Sequence, residues 1–421
     1  MDKIANNKDA MKSENRRNVL SIIGRQPVAR IDIVRETCLA RGTITEIIDE
    51  LLGEDIIVEA GKNGQGSSLG RKPIMLDINP SWGYVIGLDI DHEGFGIGML
   101  AVNGSVIGET CHLEHMGQPE KALGRAAEKI SRLISDSGID PALIAGLGVI
   151  TPGPVDSENG IILHPAFFEA WHNISLRQEL SRRLPFRIII RHNAIAFTLA
   201  EQRANKGAYG NFALFAINRG IGSGLVLNHQ AYSNARGLSS EMGHMSIDIN
   251  GRLCECGNRG CLEMYASTKA VLYEAGRARD MTWREFVDTA HEGDGFCLDL
   301  LDLQAQYLAQ SVVNLNNMLE LDAVIITGMA SYRGELLLTR IRRHMRGKIS
   351  SGGKHGGPVI KNSDISGNIG VISAGTVVID RLLNKGLFFE IAKCRKNKQS
   401  GRAVRDQNLK GVKGYGKNEQ N

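Results

Sequence analysis

The sequence predicts an α/β protein of two lobes, preceded by a small α+β winged helix-turn-helix domain. Three observations predict it. Residues 14–78 carry three short amphipathic segments and then a hairpin pattern. From Gly83 onward, short apolar strands alternate with helical stretches. The chain has 421 residues, more than a single hydrophobic core usually serves. The expected boundaries are 1–78 for the winged domain, 79–392 for the two-lobed part and 393–421 for a basic tail.

In the first segment, near Glu14–Ile23, Val19, Leu20, Ile22 and Ile23 line one side, and Gly24-Arg-Gln-Pro27 ends it. Ile31, Val34 and Arg35 suggest a short second helix, closed by a turn at Cys38-Leu-Ala. In the third, Ile44, Ile47, Ile48, Leu51 and Leu52 recur at helical spacing, and Thr43 with Glu46 reads as a capping box at its start. Ile56–Glu59 and Pro73–Leu76 then pair as a hairpin. A bundle of three helices without DNA contact fits the periodicity too. If the segment does bind DNA, Arg41, Thr43 and Thr45 sit at the front of the third helix, where major-groove readers touch base edges. Gly70-Arg71-Lys72-Pro73 is either an extended arm carrying Arg71 and Lys72 into a minor groove or a plain solvated linker. Glu46, Asp49 and Glu50 oppose DNA binding, because they place acid on the third helix.

Beyond Gly83, Tyr84–Ile90, Ile97–Val102 and Ser105–Glu109 read as a strand meander with Asn103-Gly104 as a hairpin turn. Lys121–Ser137 reads as an amphipathic helix and Ile144–Ile150 as a strand ending in Thr151-Pro-Gly-Pro-Val-Asp156. Strand Arg187–Arg191 runs into a helix from Ala194 to Arg203. A second lobe starts at Phe212, with a turn at Asn228, a strand at Val324–Thr327 and a closing strand and helix over 369–383. Periodicity alone supports two α/β lobes and no more.

His244, Cys254, Cys256 and Cys261 lie within 18 residues in the spacing His-x9-Cys-x-Cys-x4-Cys. Zn²⁺ favours four such ligands in a tetrahedron, and a closed set leaves no position for catalysis, so the ion expected is structural. The alternative is a group of free buried thiols. The remaining four cysteines are scattered, which suits a reducing compartment, the cytoplasm, better than a disulfide framework.

Glu241-Met-Gly-His244 followed by Cys254-Glu-Cys256-Gly-Asn-Arg-Gly-Cys261-Leu-Glu263 resembles the signature of the ROK family (repressors, open reading frames and sugar kinases). The resemblance implies an actin-like, ribonuclease-H-like sugar kinase fold. It implies a zinc-ordered loop whose Glu241, His244 and Glu263 hold sugar hydroxyls, with His244 serving metal and sugar through its two ring nitrogens. It further implies that Gly153, in Pro152-Gly-Pro154, and Asn193 complete the sugar site. A winged domain ahead of that fold, with a Gly-Arg-Lys-Pro arm, resembles the repressor branch.

The kinase positions depart from the family pattern. Where family kinases carry Asp-x-Gly-Gly-Thr, this chain has Asp89-Ile-Asp91-His92-Glu93. Where they carry Gly-Thr-Gly-Ile-Gly it has Asn218-Arg-Gly-Ile-Gly222, and Glu-Asn-Asp-Ala-Asn reads Arg191-His192-Asn193-Ala194-Ile195. Asn193 thus stands at the catalytic Asp, and an amide cannot take the sugar's proton. His192 is a poor substitute, since adjacent strand residues face opposite ways. The reading is a sugar-responsive regulator, most simply a repressor, with no enzymatic activity. Its partners would be operator DNA, a sugar or sugar-phosphate effector and a second copy of the chain, as a homodimer or dimer of dimers. An ATP-dependent sugar kinase with an attached DNA-binding domain is the alternative, and a scaffold using neither activity is a third.

Bulk properties fit. The net charge of +4 is smaller than the tail's own excess, nine Lys/Arg against two acids over Lys393–Asn421, so charge alone does not argue for nucleic acid. The tail is expected to be disordered, since it buries too little apolar surface to offset chain entropy. No apolar run approaches a membrane span, so no membrane partner is expected.

Overall fold

The computed structural model describes residues 2–62, 73–165, 168–232, 240–349 and 357–395. The arm Arg71-Lys72 and the tail from 396 onward lie outside the described residues. The chain forms two compact units. The first gathers the described residues to Tyr84, the short stretch Ala101–Ser105 and the described residues from Val378. The second comprises Val85–Leu100 and Val106–Val377.

In the first unit, α1 (Asp2–Ile23), α2 (Arg30–Thr37) and α3 (Arg41–Gly53) pack together. Strands β1 (Val28–Ala29), β2 (Ile57–Lys62) and β3 (Ile74–Ile78) form a sheet in the order β1-β3-β2. This is a winged helix-turn-helix. Ile44, Ile47, Ile48 and Leu51 are buried, as the stripe requires, and so are Leu20, Ile23 and Ile33 on the two helices that α3 packs against. Cys38 takes φ +56°, the left-handed conformation that turns α2 toward α3. The capping box does not form. Helix α3 starts two residues before Thr43, with Ala40 at its cap and no side-chain cap bond, and Ile44 N–H donates to Ala40 O. Glu46 instead meets Lys12.

The first unit also holds the chain's return. Residues 387–395 are helical, so the structure carries order past the expected boundary at 393. Phe388 is fully buried edge-to-face on Trp82, with ring centroids 4.5 Å apart. Arg395 lies over the Trp82 ring at 4.3 Å and donates to Trp82 O at 2.8 Å. Arg16 lies over the Phe389 ring at 4.3 Å.

The second unit repeats one plan twice. Strands β4 (Tyr84–Asp91), β5 (Gly94–Ala101) and β6 (Val106–Leu113) precede α4 (Pro119–Ser137) and β7 (Ile144–Thr151). A small sheet follows, made of β8 (Val155–Asp156), β9 (Ile161–Ile162) and β10 (Ile174–Ser175). Then come α5 (Leu176–Ser181), β11 (Ile188–His192) and α6 (Asn193–Ala204). The first large sheet runs β11-β7-β4-β5-β6, with β7 and β11 parallel. The second lobe has β12 (Phe212–Ile217), β13 (Ile221–Leu227) and β14 (Gln230–Ala231), then α7 (Glu263–Ala266), α8 (Thr268–Gly276), α9 (Trp283–His291) and α10 (Gly295–Leu319). It ends with β15 (Ala323–Thr327), α11 (Glu335–Met345), β16 (Val359–Asn362) and α12 (Ile369–Asn384). Its sheet runs β14-β13-β12-β15-β16. In each sheet a three-strand meander is extended beside its first strand by two parallel strands. Helix α6 leaves the end of β11 and packs on β12 and β13. That packing is close because Gly224 has no side chain: a Cβ there would sit 1.8 Å from Thr198 Oγ1.

Candidate functional site

The four metal-type ligands converge as their spacing predicts. The donor atoms of His244, Cys254, Cys256 and Cys261 all lie within 4.8 Å of one another. Cys256 Sγ is 3.6 Å from Cys261 Sγ, and Cys254 Sγ is 3.6 Å from His244 Nδ1. A tetrahedron with bonds of about 2.3 Å has edges of about 3.8 Å, so the donor set fits one ion. Backbone bonds bring the donors together: Gly257 N–H to Cys254 O, Cys254 N–H to Asn258 O, Gly260 N–H to Arg252 O and Ile247 N–H to Gly260 O. Gly260 has φ +69°, and a Cβ there would meet Asp248 O at 1.7 Å, so no other residue fits. Burial pushes the Cys261 thiol up to about 12, with the neighbouring Cys256 and Cys254 sulfurs acting the same way. A thiolate at that place therefore requires a cation beside it.

The loop delivers the carboxylates. Ser223 Oγ, on β13, accepts from Met242 N–H at 2.9 Å and donates to Ser240 O, fixing the backbone around Glu241. Gly243 passes so close to β13 that a Cβ would meet Ile221 O at 2.2 Å. Glu263 opens α7, and its Oε2 accepts from Ile221 N–H at 2.7 Å. Burial raises the Glu263 carboxyl; the bond from Ile221 and the nearby His244 act against that, while Glu255 and Glu241 add to it. Glu241, His244 and Glu263 are therefore one electrostatic group. With Nδ1 turned to the cysteines, His244 keeps Nε2 for another partner.

Gly153 and Asn193 come from the ends of β7 and β11 in the first lobe. The Gly153–Pro154 peptide is cis. The His192 ring lies on Gly153, where a Cβ would sit 2.0 Å from its Cδ2. His192 is the N-cap of α6, and its Nδ1 accepts from Ala194 N–H at 3.3 Å. Burial lowers the ring to about 4. A neutral imidazole whose Nδ1 lone pair is already taken is no general base near neutral pH. The reason differs from simple strand alternation: His192 is where the strand ends and the helix begins.

The chain's own side chains occupy backbone groups in the turns around Asp91-His92 and Asn218–Ile221. Asp91 Oδ1 accepts from His92 N–H at 2.7 Å and contacts the His92 ring at 2.8 Å. That ring lies against Phe168 at 4.9 Å, and Phe168 stacks on Trp171. Asn218 Oδ1 accepts from Met329 N–H at 2.7 Å. Nothing in the sequence placed Asn218 against the turn after β15, because the partners are 111 residues apart.

A family model described as the ROK family matches residues 86–380, most of the chain. The chain belongs to the ROK family. It is 29% identical over 340 residues to the xylose repressor of Bacillus spizizenii, covering 78% of this chain and 85% of the relative. It is 30% identical over 277 residues to the glucokinase of Thermotoga maritima, covering 61% of this chain and 86% of that enzyme. Among solved structures, a ROK family transcriptional regulator described as a homolog of the E. coli MLC protein matches with a TM-score of 0.75 at 23% identity. It covers 91% of this chain and 99% of its own, and shares the fold.

Unlike the matched region, the winged domain lies ahead of residue 86. Arg41 and Thr45 are exposed at the front of α3, Thr43 is half-buried, and Thr45 Oγ1 donates to Arg41 O at 3.0 Å. The acids that opposed DNA binding are paired within the unit. Lys12 binds Glu46 and Glu50, Arg16 binds Glu50 and Glu54, and Arg30 binds Asp49. Among the described residues no helix is long and apolar enough to cross a membrane.

Proposed function

We propose that this ROK protein is a sugar-responsive transcriptional repressor of carbohydrate genes whose kinase-like domain binds a sugar without phosphorylating it. One observation carries the reading. The sugar-side group Glu241, His244 and Glu263 is gathered on an ordered loop, while the base position holds Asn193 beside a neutral, N-capping His192. An amide retains a donor and an acceptor for a hydroxyl but has no useful basicity. Similarity to the xylose repressor over most of both chains supports the same reading. Gly153 and Asn193 hold the sugar from the first lobe, and Glu241, His244 and Glu263 from the second. A structural Zn²⁺ is held by His244, Cys254, Cys256 and Cys261. Arg41, Thr43 and Thr45 meet the major groove of the operator, and Arg71 and Lys72 its minor groove. A homodimer places two winged domains on an inverted repeat in the cytoplasm.

The test joins two measurements on the full chain. A thermal-shift panel of sugars identifies the ligand, since a ligand at about 100 times its Kd adds roughly 2.7 kcal/mol. Retardation of the chain's own promoter DNA is then followed with and without that ligand. The identified sugar is expected to change retardation, and removing residues 1–78 to abolish it. Sugar-dependent ATP consumption at about 1 s⁻¹ or faster would favour the kinase reading instead.

A further inference from the structure

A helix that reads base edges must be held at a fixed tilt as well as carry the right side chains. The readers proposed on α3, Arg41, Thr43 and Thr45, stand in its first turns, while Glu50 and Glu54 stand at its other end. Thr43 and Glu50 are roughly 10 Å apart along the axis, at about 1.5 Å per residue. A tilt of about 10° about the Glu50 end therefore moves Thr43 by roughly 2 Å, more than a hydrogen bond to a base edge tolerates. Ile44, Ile47, Ile48 and Leu51 seat the inner side of α3 in the core. Its acidic end is held from α1.

Arg16 of α1 is the centre of that hold. Its Nη2 donates to Glu54 Oε2 at 2.6 Å, and its Nη1 lies 3.5 Å from Glu50 Oε2, whose Oε1 takes Lys12 Nζ at 2.5 Å. The same guanidinium lies over the Phe389 ring, 4.3 Å from its centroid. An exposed ion pair would orient α3 weakly, because long charged side chains keep their freedom in water. Here the Arg16 side chain is 17% exposed and that of Glu54 19%, and the ring face adds a plane on which the guanidinium stacks.

The ring is itself fixed by its neighbours in the chain. Leu383, near the end of α12, packs so closely on Gly24 that a Cβ there would sit 2.6 Å from Leu383 Cδ1. Gly386, at φ +77°, turns the chain into the 387–395 helix. Phe388 then lies fully buried on Trp82, and Arg395 covers the same indole. All of these residues belong to the first unit.

We propose that Phe389 and Arg16 are positioning residues for operator reading: the Phe389 ring fixes the Arg16 guanidinium, which holds the Glu50–Glu54 end of α3 and so sets Arg41, Thr43 and Thr45 against the bases. The proposal rests on the DNA-binding reading above and deepens it, by making the 387–395 helix part of the reading apparatus.

The test is an anisotropy titration of the full-length protein with two labelled duplexes, one from the chain's own promoter and one of shuffled sequence with the same length and composition. Phe389→Leu keeps an apolar side chain and removes the ring face, and Arg16→Lys keeps the charge and removes the planar fork. Each should weaken promoter binding by about fivefold or more. Each should leave shuffled-duplex binding within about twofold, because phosphate contacts depend on charge and the charge is unchanged. Phe389→Tyr, which retains the ring, should bind the promoter within about twofold of wild type. Titrations are run below each variant's calorimetric transition, and if Phe389→Leu does not fold, Arg16→Lys decides. Promoter affinity unchanged in the folded variants, or an equal loss on both duplexes, overturns the proposal. A wild-type protein that does not prefer its promoter over the shuffled duplex sinks the DNA-reading assignment itself, and this inference with it.

Discussion

Truncating Phe388 tests whether the 387–395 helix is part of the winged unit's core. Its ring is fully buried, edge-to-face on Trp82 at 4.5 Å. Phe→Ala at such a site costs about 3–5 kcal/mol, of which the aromatic pair supplies about 0.5–1.5 kcal/mol. For a unit of this size each kcal/mol moves the midpoint by about 4 °C or more, so Phe388→Ala should lower the winged unit's melting transition by about 12 °C or more. Arg395→Ala removes a guanidinium held over the same indole and its bond to Trp82 O, and should cost about 1–3 kcal/mol. Deleting residues 396–421 should leave the transition where it was. The assay is differential scanning calorimetry of the full chain and its variants, with the Phe388/Trp82 double-mutant cycle isolating the ring pair. A Phe388→Ala protein melting within a degree or two of wild type would refute the docking argument.

Zinc analysis should return about one equivalent per chain, and Cys256→Ser should lower it while raising amide exchange across 245–262. Unchanged exchange after chelation would mean that the loop holds itself. Asp89 gives a pH prediction. Its folded pKa is raised from the ordinary 3.8 to about 7, so the fold prefers the protonated form, and this contribution to stability is lost as pH rises from about 4 to about 7. Asp89→Asn should therefore flatten the wild-type decline across that window, and parallel stability curves for the two proteins would contradict it. Glu241→Ala should abolish binding of the identified sugar and leave DNA retardation intact, giving a regulator deaf to its effector; a normal response would move the effector site elsewhere.

Much of this molecule was legible from local patterns. The α3 stripe, the Asn103-Gly104 turn and the ligand spacing at His244–Cys261 are contacts between near neighbours, where periodicity and turn chemistry act directly. The misreadings share a cause. Thr43 and Glu46 spell a capping box, but α3 starts at Arg41, and Glu46 finds Lys12, 34 residues away. The pairing of the α3 acids was not legible either, because Lys12 and Arg16, a helix away, could not be placed opposite them. The tail looked polar from Lys393 because Arg395 meets Trp82 only after the chain has crossed 313 positions. Long-range partners carry no local signature.

The same distinction explains how a kinase-like cleft can become a sensor. Phosphoryl transfer needs a base and open N–H groups in one place at one moment. In the proposed reading the amide at Asn193 removes the base, while Asn218 Oδ1 accepts from Met329 N–H and Asp91 Oδ1 from His92 N–H. Sugar recognition needs only hydroxyl-holding groups, and those proposed for it, Glu241, His244 and Glu263, stand on the loop that gathers His244, Cys254, Cys256 and Cys261. The two halves of the site lie on different lobes, joined by α6, whose buried Glu201 also accepts from Ser363 and from Asp364 N–H at 3.1 Å. A sugar that touches both lobes can shift their equilibrium only by its difference in affinity for the two arrangements. Couplings of this kind are about 1–3 kcal/mol, and operator DNA must alter sugar affinity by the factor that sugar alters DNA affinity. Equal sugar affinities for the free and operator-bound protein, measured under conditions where the sugar changes retardation, would be thermodynamically inconsistent with a single coupled site.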